Sequence, residues 1–259
     1  MRRLLAGLIY ALSGVLGIFA FLLPFVLPDI VAGVGGQGPW APLLTAALVS
    51  LSLLALVVEV QSETLSAKTI ALLGVLVAVA SALRFMDVAV PLPGGFSPIF
   101  VPILLAGYVF GARFGFLMGA LTLLASSLIT GGVGPWLPYQ MFAAGWAGLT
   151  AGWLPHPKRR WATVALLCAF GFLWGLLYGV IINLYFWPFA QGPVGQSWTE
   201  GLSLRAALTR YATFYLVTSL GWDVVRAFWN AALLLALTVP LVKVLTRFRR
   251  RFHFEVRRG

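Results

Sequence analysis

The stretch that decides the fold is WATVALLCAFGFLWGLLYGVIINLYFW, residues 161–187, which contains no charged side chain. An α-helix rises about 1.5 Å per residue, so about 20 apolar residues cross the ~30 Å hydrocarbon core of a bilayer. Residues 161–187 therefore predict a transmembrane helix.

Similar apolar runs lie at 4–27, 40–58, 68–86, 96–110, 114–129 and 139–154, with a last one inside 204–246. The last run is too long for one helix, so we expect a helical piece near 204–218, a bend around 219–221 and a span from about 222 to 246. The composition agrees: 61% of residues are hydrophobic and 10% charged, against about 25% charged in soluble domains. The sequence predicts an all-α membrane protein with about eight transmembrane helices.

The basic residues predict the orientation in the membrane. With the N-terminus inside, 14 of the 18 lysines and arginines fall on the cytoplasmic side, as the positive-inside rule requires. Seven of them follow the last apolar run, within 243–258. A basic segment there faces anionic lipid and does not indicate nucleic-acid binding. We expect a multi-pass protein of the cell membrane with both termini cytoplasmic. The 4–27 run exceeds a signal-peptide core of ~7–15 residues, which favours a retained first helix.

The outer loops are rich in glycine, proline and aromatic residues, as in PLPGGFSP at 91–98 and GGVGPWLP at 131–138. Such loops form shaped turns with apolar faces, so a ligand site would open outward. The segment GGQGPWAP at 35–42 matches 131–138 at six of eight positions. Either a turn has been reused or a helix–loop–helix unit has been duplicated.

Small residues recur at a spacing of four in three places, a pattern that brings membrane helices into close contact. Two of these series, from Gly107 to Gly119 and from Ala144 to Gly152, are interpreted as internal packing. The third consists of Gly74, Ala78 and Ala82. It could pack internally or face another protein.

Polar side chains in the outer half of the spans are costly in hydrocarbon and are the candidates for a site. They are Arg84, Asp87, Tyr139, Gln140, Asn183, Asp223, Arg226 and Asn230. Asp223 and Arg226 are three residues apart on one helical face, where they can form an ion pair. Gln140 directly follows the Gly-Pro-Trp turn and is the first candidate for ligand contact.

Nothing in the sequence predicts catalysis, a cofactor or a metal site. His156 and His253 both fall on the basic side without a carboxylate or cysteine at ligand spacing. There is no Gly-x-Ser-x-Gly elbow, and no lysine follows a glycine as a phosphate-binding loop requires. The single Cys168 is interpreted as a buried small residue. Energy for any transport must then come from a partner or a gradient.

Four segments together resemble a known family: ALRF at 82–85, GGFSP at 94–98, GARFG at 111–115 and GGVGPWLPYQM at 131–141. They are similar to the membrane-embedded substrate-binding subunit, or S component, of energy-coupling factor (ECF) vitamin transporters. The 131–141 segment is most similar to the cobalamin-type members of that family.

The resemblance implies a six-helix core at 65–246, preceded by a two-helix extension at 1–64 and followed by a basic tail at 247–259. Such a core captures a vitamin or related micronutrient from outside and delivers it through a transmembrane T component and two cytoplasmic ATPases. The small-residue stripe (Gly74, Ala78 and Ala82) would dock on the T component. Loops at about 87–100 and 130–140 would close over the ligand. With the polar candidates above, the expected substrate-binding residues are Asp87, Phe96, Trp136, Tyr139, Gln140, Asn183, Asp223 and Arg226.

Two other classes of function stay open at this point. Asp223, Arg226 and Asn183 could form the centre of an intramembrane enzyme or lipid-handling protein. The chain could also be a channel, a solitary secondary carrier or a scaffold subunit. Of these interpretations, only the one as an ECF S component requires companion subunits for uptake.

Overall fold

The computed structural model of the chain describes residues 14–22, 25, 50, 67–89, 95–199 and 201–252, and it is helical without strands over these ranges. From residue 67 onward there are seven α-helices and a short 3₁₀ turn, Trp187–Phe189. The helices are α1 (Ala67–Ala89), α2 (Phe100–Phe110), α3 (Ala112–Thr130), α4 (Leu137–Ala151), α5 (Arg160–Phe186), α6 (Leu204–Thr218) and α7 (Leu220–Phe252).

Four of the helices in the described ranges are long and apolar enough to cross a membrane: α1, α3, α5 and α7. The predicted spans 4–27 and 40–58 lie largely outside the described residues, so the total of about eight stays a prediction. Residues 14–22 are helical, and Phe21 is buried, with its ring 5.0 Å from that of Tyr139 on α4. The first helical segment therefore packs against α4.

The short helix α2 lies at the centre of the bundle. Nine of its 11 residues are buried, and it contacts α1, α3, α4, α5 and α7. A span of 11 residues is too short to cross a bilayer alone. It is tolerated because neighbouring helices surround it and shield its ends from lipid.

Helices α3 and α4 interlock through their small residues. A β-carbon at Gly115 would overlap the backbone carbonyl of Gly148, and one at Gly119 would overlap the carbonyl of Ala144. Such contact between backbones is available only where side chains are absent or small. The prediction that these two series pack internally is confirmed. Gly111 is the exception, since it forms the turn between α2 and α3 with φ of +99° and open space around it.

The predicted helical piece at 204–218 is α6, and the predicted bend falls at Ser219. Ser203 caps α6 by accepting a hydrogen bond from the Ala206 N–H at 3.3 Å. Helix α7 extends beyond the expected end at 246, to Phe252. Arginine has a high helix propensity, and basic side chains are favourable near a helix C-terminus, so the predicted tail begins as helix.

At the basic end of the bundle, two side chains satisfy the last carbonyls of α2. Arg249 Nη1 donates to the carbonyl of Val109 at 2.8 Å. His156 Nε2 lies 3.1 Å from the carbonyl of Tyr108, and its ring stacks on the Tyr108 ring at 4.4 Å. His156 thus has a structural role in joining the loop before α5 to α2.

Candidate functional site

The centre of the candidate site is an ion pair on the first turns of α7. Arg226 Nη1 lies 2.5 Å from Asp223 Oδ1, and the two side chains are 17% and 3% exposed. This confirms the predicted pairing. The guanidinium also lies over the Tyr178 ring, with Cζ 5.6 Å from its centroid, and reaches the carbonyl of Gly175 at 3.5 Å. A carboxylate and a cation are therefore held together within an apolar bundle.

The carboxylate of Asp223 is only partly satisfied. Its Oδ2 atom is buried and has no hydrogen-bond partner in the described part of the chain. The hydroxyl of Tyr215 lies close enough to donate a hydrogen bond to this carboxylate, although the bond is not formed in full geometry. Buried acceptors without partners are uncommon in native proteins. This oxygen can accept a hydrogen bond from a ligand.

A glycine stripe on α5, formed by Gly171, Gly175 and Gly179, makes room for these groups. A β-carbon at Gly179 would overlap the Asp223 carboxylate, and one at Gly175 would meet the backbone of Ala227 at 2.5 Å. Asn230, which is fully buried, donates to the carbonyl of Gly171 at 3.2 Å. Its spacing of four is visible in the sequence, but the stripe is not among the three small-residue series interpreted above.

Asn183 has its amide engaged on both sides. Its Nδ2 donates to the carbonyl of Gly179 at 2.8 Å, and its Oδ1 accepts from Ser219 Oγ at 3.0 Å. Asn183 therefore joins α5 to the bend between α6 and α7. Its contacts position the start of α7, where Asp223 lies one turn further on.

A second set of charges comes from α1. Asp87 lies within electrostatic reach of Arg84 and Arg226, and it forms no ion pair with any described residue. The Nε atom of Arg84 is buried and also has no partner within the described ranges. Two carboxylates and two guanidinium groups of α1 and α7 thus lie within electrostatic reach of one another, and Arg84 Nε and Asp223 Oδ2 among them have no partner in the described ranges.

The segment before α2 covers this cluster. Gly95 has φ of +68°, and a β-carbon there would lie 3.1 Å from the Trp222 carbonyl and 3.6 Å from Arg226 Nη2. The adjacent Phe96 packs edge-on against Trp229 at 5.1 Å. Only glycine accommodates both the backbone conformation and the close approach. Asp87 and Phe96 also line one end of an apolar groove of about 730 Å³ between α1, α2 and α7.

The candidates at the start of α4 make other contacts. Tyr139 is buried in an aromatic cluster, stacked on Tyr185 at 4.1 Å. Trp136 is 39% exposed, and its Nε1 donates to the carbonyl of Gly132 in its own loop at 3.2 Å. Gln140 is half-buried. None of these three side chains has a recorded contact with the Asp223–Arg226 pair in the part of the chain that the structure describes.

The small-residue stripe of α1 faces outward. Gly74, Ala78 and Ala82 are all exposed, whereas Leu73, Val77 and Ala80 turn toward the core. A β-carbon at Gly74 would have nothing within 4 Å. In contrast to the α3 and α4 series, this stripe has no packing role among the described helices.

These features were compared with known proteins. The family model for the ECF transporter substrate-specific component matches residues 68–242. The chain belongs to this family. No curated protein and no solved structure gave a significant match.

The matched range runs from the start of α1 into α7 and includes both sets of charges and the small-residue stripe. ECF substrate-specific components are membrane subunits of transporters and not enzymes, and in general they work with a T component and ATPases. The resemblance of the sequence to this family is thereby confirmed.

Proposed function

We propose that this ECF component captures a vitamin or related micronutrient from outside the cell, and that the ligand binds at the cluster of Arg84, Asp87, Asp223 and Arg226. The observation that supports this site most is the pair of unpartnered buried atoms, Arg84 Nε and Asp223 Oδ2. A free donor and a free acceptor in an apolar bundle are destabilising until a ligand satisfies them. The expected ligand offers both an acceptor and a donor.

The segment around Gly95 and Phe96 is proposed as the cover of the site. Its close approach to Trp222 and Arg226 shields the ion pair from the outer side. Exclusion of water strengthens the electrostatic interactions beneath it. The predicted covering role of 87–100 is supported by this contact. For 130–140 the proposal rests on sequence alone, because Trp136, Tyr139 and Gln140 have no contact with the Asp223–Arg226 pair in the part of the chain that the structure describes.

The exposed stripe of Gly74, Ala78 and Ala82 is proposed as the surface that docks on the T component. Small residues allow the backbone of a partner helix to approach closely, which is how helices associate in lipid. The neighbouring side chains of Val75 and Val79 are also exposed. Together they form an apolar face on α1 whose shape suits a helix.

The identity of the cargo is a separate question. The similarity of 131–141 to cobalamin-type members makes a corrinoid one candidate, and a smaller ring compound is the other. A corrinoid carries many amide groups, which can donate to Asp223 and accept from Arg84.

The test is to purify the full chain, identify the co-purified small molecule by mass spectrometry, and measure its uptake into liposomes with and without the T component and ATPases. We expect a micronutrient that binds the chain alone, with concentrative uptake only when the partners and ATP are present. The control variant is Ala165→Leu, on the exposed face of α5, which should bind and take up the micronutrient like the wild type. Concentrative uptake by the chain alone would contradict the proposal.

A further inference from the structure

At the end of the bundle opposite the Asp223–Arg226 pair, α5 begins beside the last turns of α7. A groove of about 790 Å³ lies between the two helices there, and four basic side chains line it: Arg160, Lys243, Arg247 and Arg250. Among the residues that the structure describes, no carboxylate lines this groove. The groove is therefore a concentrated positive site at the end that the charge distribution assigns to the cytoplasm.

None of the four side chains makes a hydrogen bond or ion pair with a described residue. Arg249 on the same helix differs, because it donates to the Val109 carbonyl. Four cations in one groove repel each other, and an anion bound among them would offset that repulsion. Helix α5 also begins at Arg160 without a side-chain cap, and a helix N-terminus adds positive potential.

A buried hydroxyl supplies an independent observation. Thr238 lines the same groove and is 1% exposed, yet its Oγ1 has no partner in the described part of the chain. Several other helical threonines donate to the carbonyl four residues earlier, as Thr150 does to Trp146 at 2.7 Å, although the buried Thr122 hydroxyl also has no partner within the described ranges. Thr238 does not, so its hydroxyl is free for a group in the groove.

Apart from Thr163 and Thr246, the remaining lining is apolar and lies next to the cations. Val164, Val239 and Val242 form this part of the groove, and Trp161 beside Arg160 is 66% exposed, as expected for an aromatic at a membrane interface. A ligand that fills the groove must have a charged head and an apolar chain. Basic grooves between membrane helices at the cytoplasmic side suit lipid headgroups.

We propose that this groove binds the phosphate headgroup of an anionic phospholipid, with an acyl chain against the three valines. The phosphate interacts with Lys243, Arg247 and their neighbours, and the Thr238 hydroxyl donates to an oxygen of the lipid. A water-soluble phosphate ester shares the headgroup chemistry but lacks the chain. The proposal does not depend on which micronutrient the protein binds.

The experiment measures binding to the purified full chain by native mass spectrometry with three probes: dioctanoyl phosphatidylglycerol, dioctanoyl phosphatidylcholine and glycerol 3-phosphate. We expect the phosphatidylglycerol to bind at least tenfold more tightly than either of the others. The double variant Lys243→Gln/Arg247→Gln should lose about tenfold of that affinity, and Thr238→Val severalfold.

The matched control is Lys68→Gln/Lys158→Gln, which removes two exposed cations outside the groove at the same end of the bundle. It should bind like the wild type. Helix content measured by circular dichroism verifies that each variant folds. If the double variant does not fold, the affinity of the Thr238→Val variant decides the outcome. Equal loss in the control, equal affinity for the two lipids, or equally tight glycerol 3-phosphate would each overturn the proposal.

Discussion

Gly179 on α5 directly faces the carboxylate of Asp223 on α7, so closely that a β-carbon at residue 179 would overlap Oδ2. The same carboxylate pairs with Arg226 through Oδ1, and Asn183 donates to the Gly179 carbonyl. The absence of one side chain on α5 thus allows a charged pair to be buried between two membrane helices. The predictions below begin with this contact.

Gly179→Ala should push the Asp223 carboxylate away from α5 and weaken the packing of α5 against α7. Overpacked interiors typically lose 1–3 kcal/mol, so we expect the free energy of unfolding to fall by about 2 kcal/mol. Thermal unfolding in detergent measures this. Gly221→Ala is the control, because nothing lies within 4 Å of a β-carbon there, and alanine favours the helix by up to ~1 kcal/mol.

Separate and joint removal of the charges of Asp223 and Arg226 tests whether the pair supports the fold, the ligand or both. Asp223→Asn or Arg226→Gln alone leaves one buried charge unpaired, which costs about 3 kcal/mol of stability. The double variant should recover part of this loss. We expect none of the three variants to bind ligand, as measured by equilibrium binding. A double variant that binds normally would restrict the pair to a structural role.

Ala78→Leu/Ala82→Leu should leave ligand binding and thermal stability unchanged, because both side chains are exposed. Assembly with the T component should be lost, since bulky side chains prevent close approach of a partner helix. Co-purification with the partner subunits and uptake measure this. Ala165→Leu changes an equally exposed alanine on α5 and should assemble normally. Loss of ligand binding in the α1 variant would instead indicate that the stripe supports the core.

Gln140→Ala tests whether the start of α4 belongs to the same ligand site as the α1 and α7 cluster, as the sequence predicts. The side chain is half-buried and makes no hydrogen bond with the described residues, so stability should not change. If Gln140 contacts the ligand, the loss of one hydrogen bond should weaken binding by about 1 kcal/mol. Trp136→Ala is the companion variant, also expected to weaken binding. Unchanged affinity in both would confine the ligand to the α1 and α7 cluster.

Sequence reasoning predicted the helices described from residue 67 onward, because apolar length and small-residue spacing are local properties. The α6 helix at 204–218, the bend at Ser219 and the α3–α4 packing follow from such patterns. The Asp223–Arg226 pair was predictable for the same reason, since both residues lie on one helix face.

The composition of the site was harder to predict because it depends on how helices rotate against each other. Tyr178 contacts Arg226 and Phe100, yet within an apolar helix nothing marks the face on which an aromatic lies. For the same reason, sequence reasoning placed Tyr139 and Asp223 in one predicted site. The glycine stripe at 171, 175 and 179 was detectable, but its partner helix was not.

The side chains of Asn230 and Arg226 bind main-chain carbonyls of α5 at Gly171 and Gly175, which fixes the register of the two helices. Sliding of α7 along α5 would break both bonds together, so these bonds resist a change of register between the two helices. Helix α6 is held differently, because it has no buried residue and the Tyr211 hydroxyl donates to the Val180 carbonyl of α5. We expect α6 to be displaced from the bundle more easily than α7.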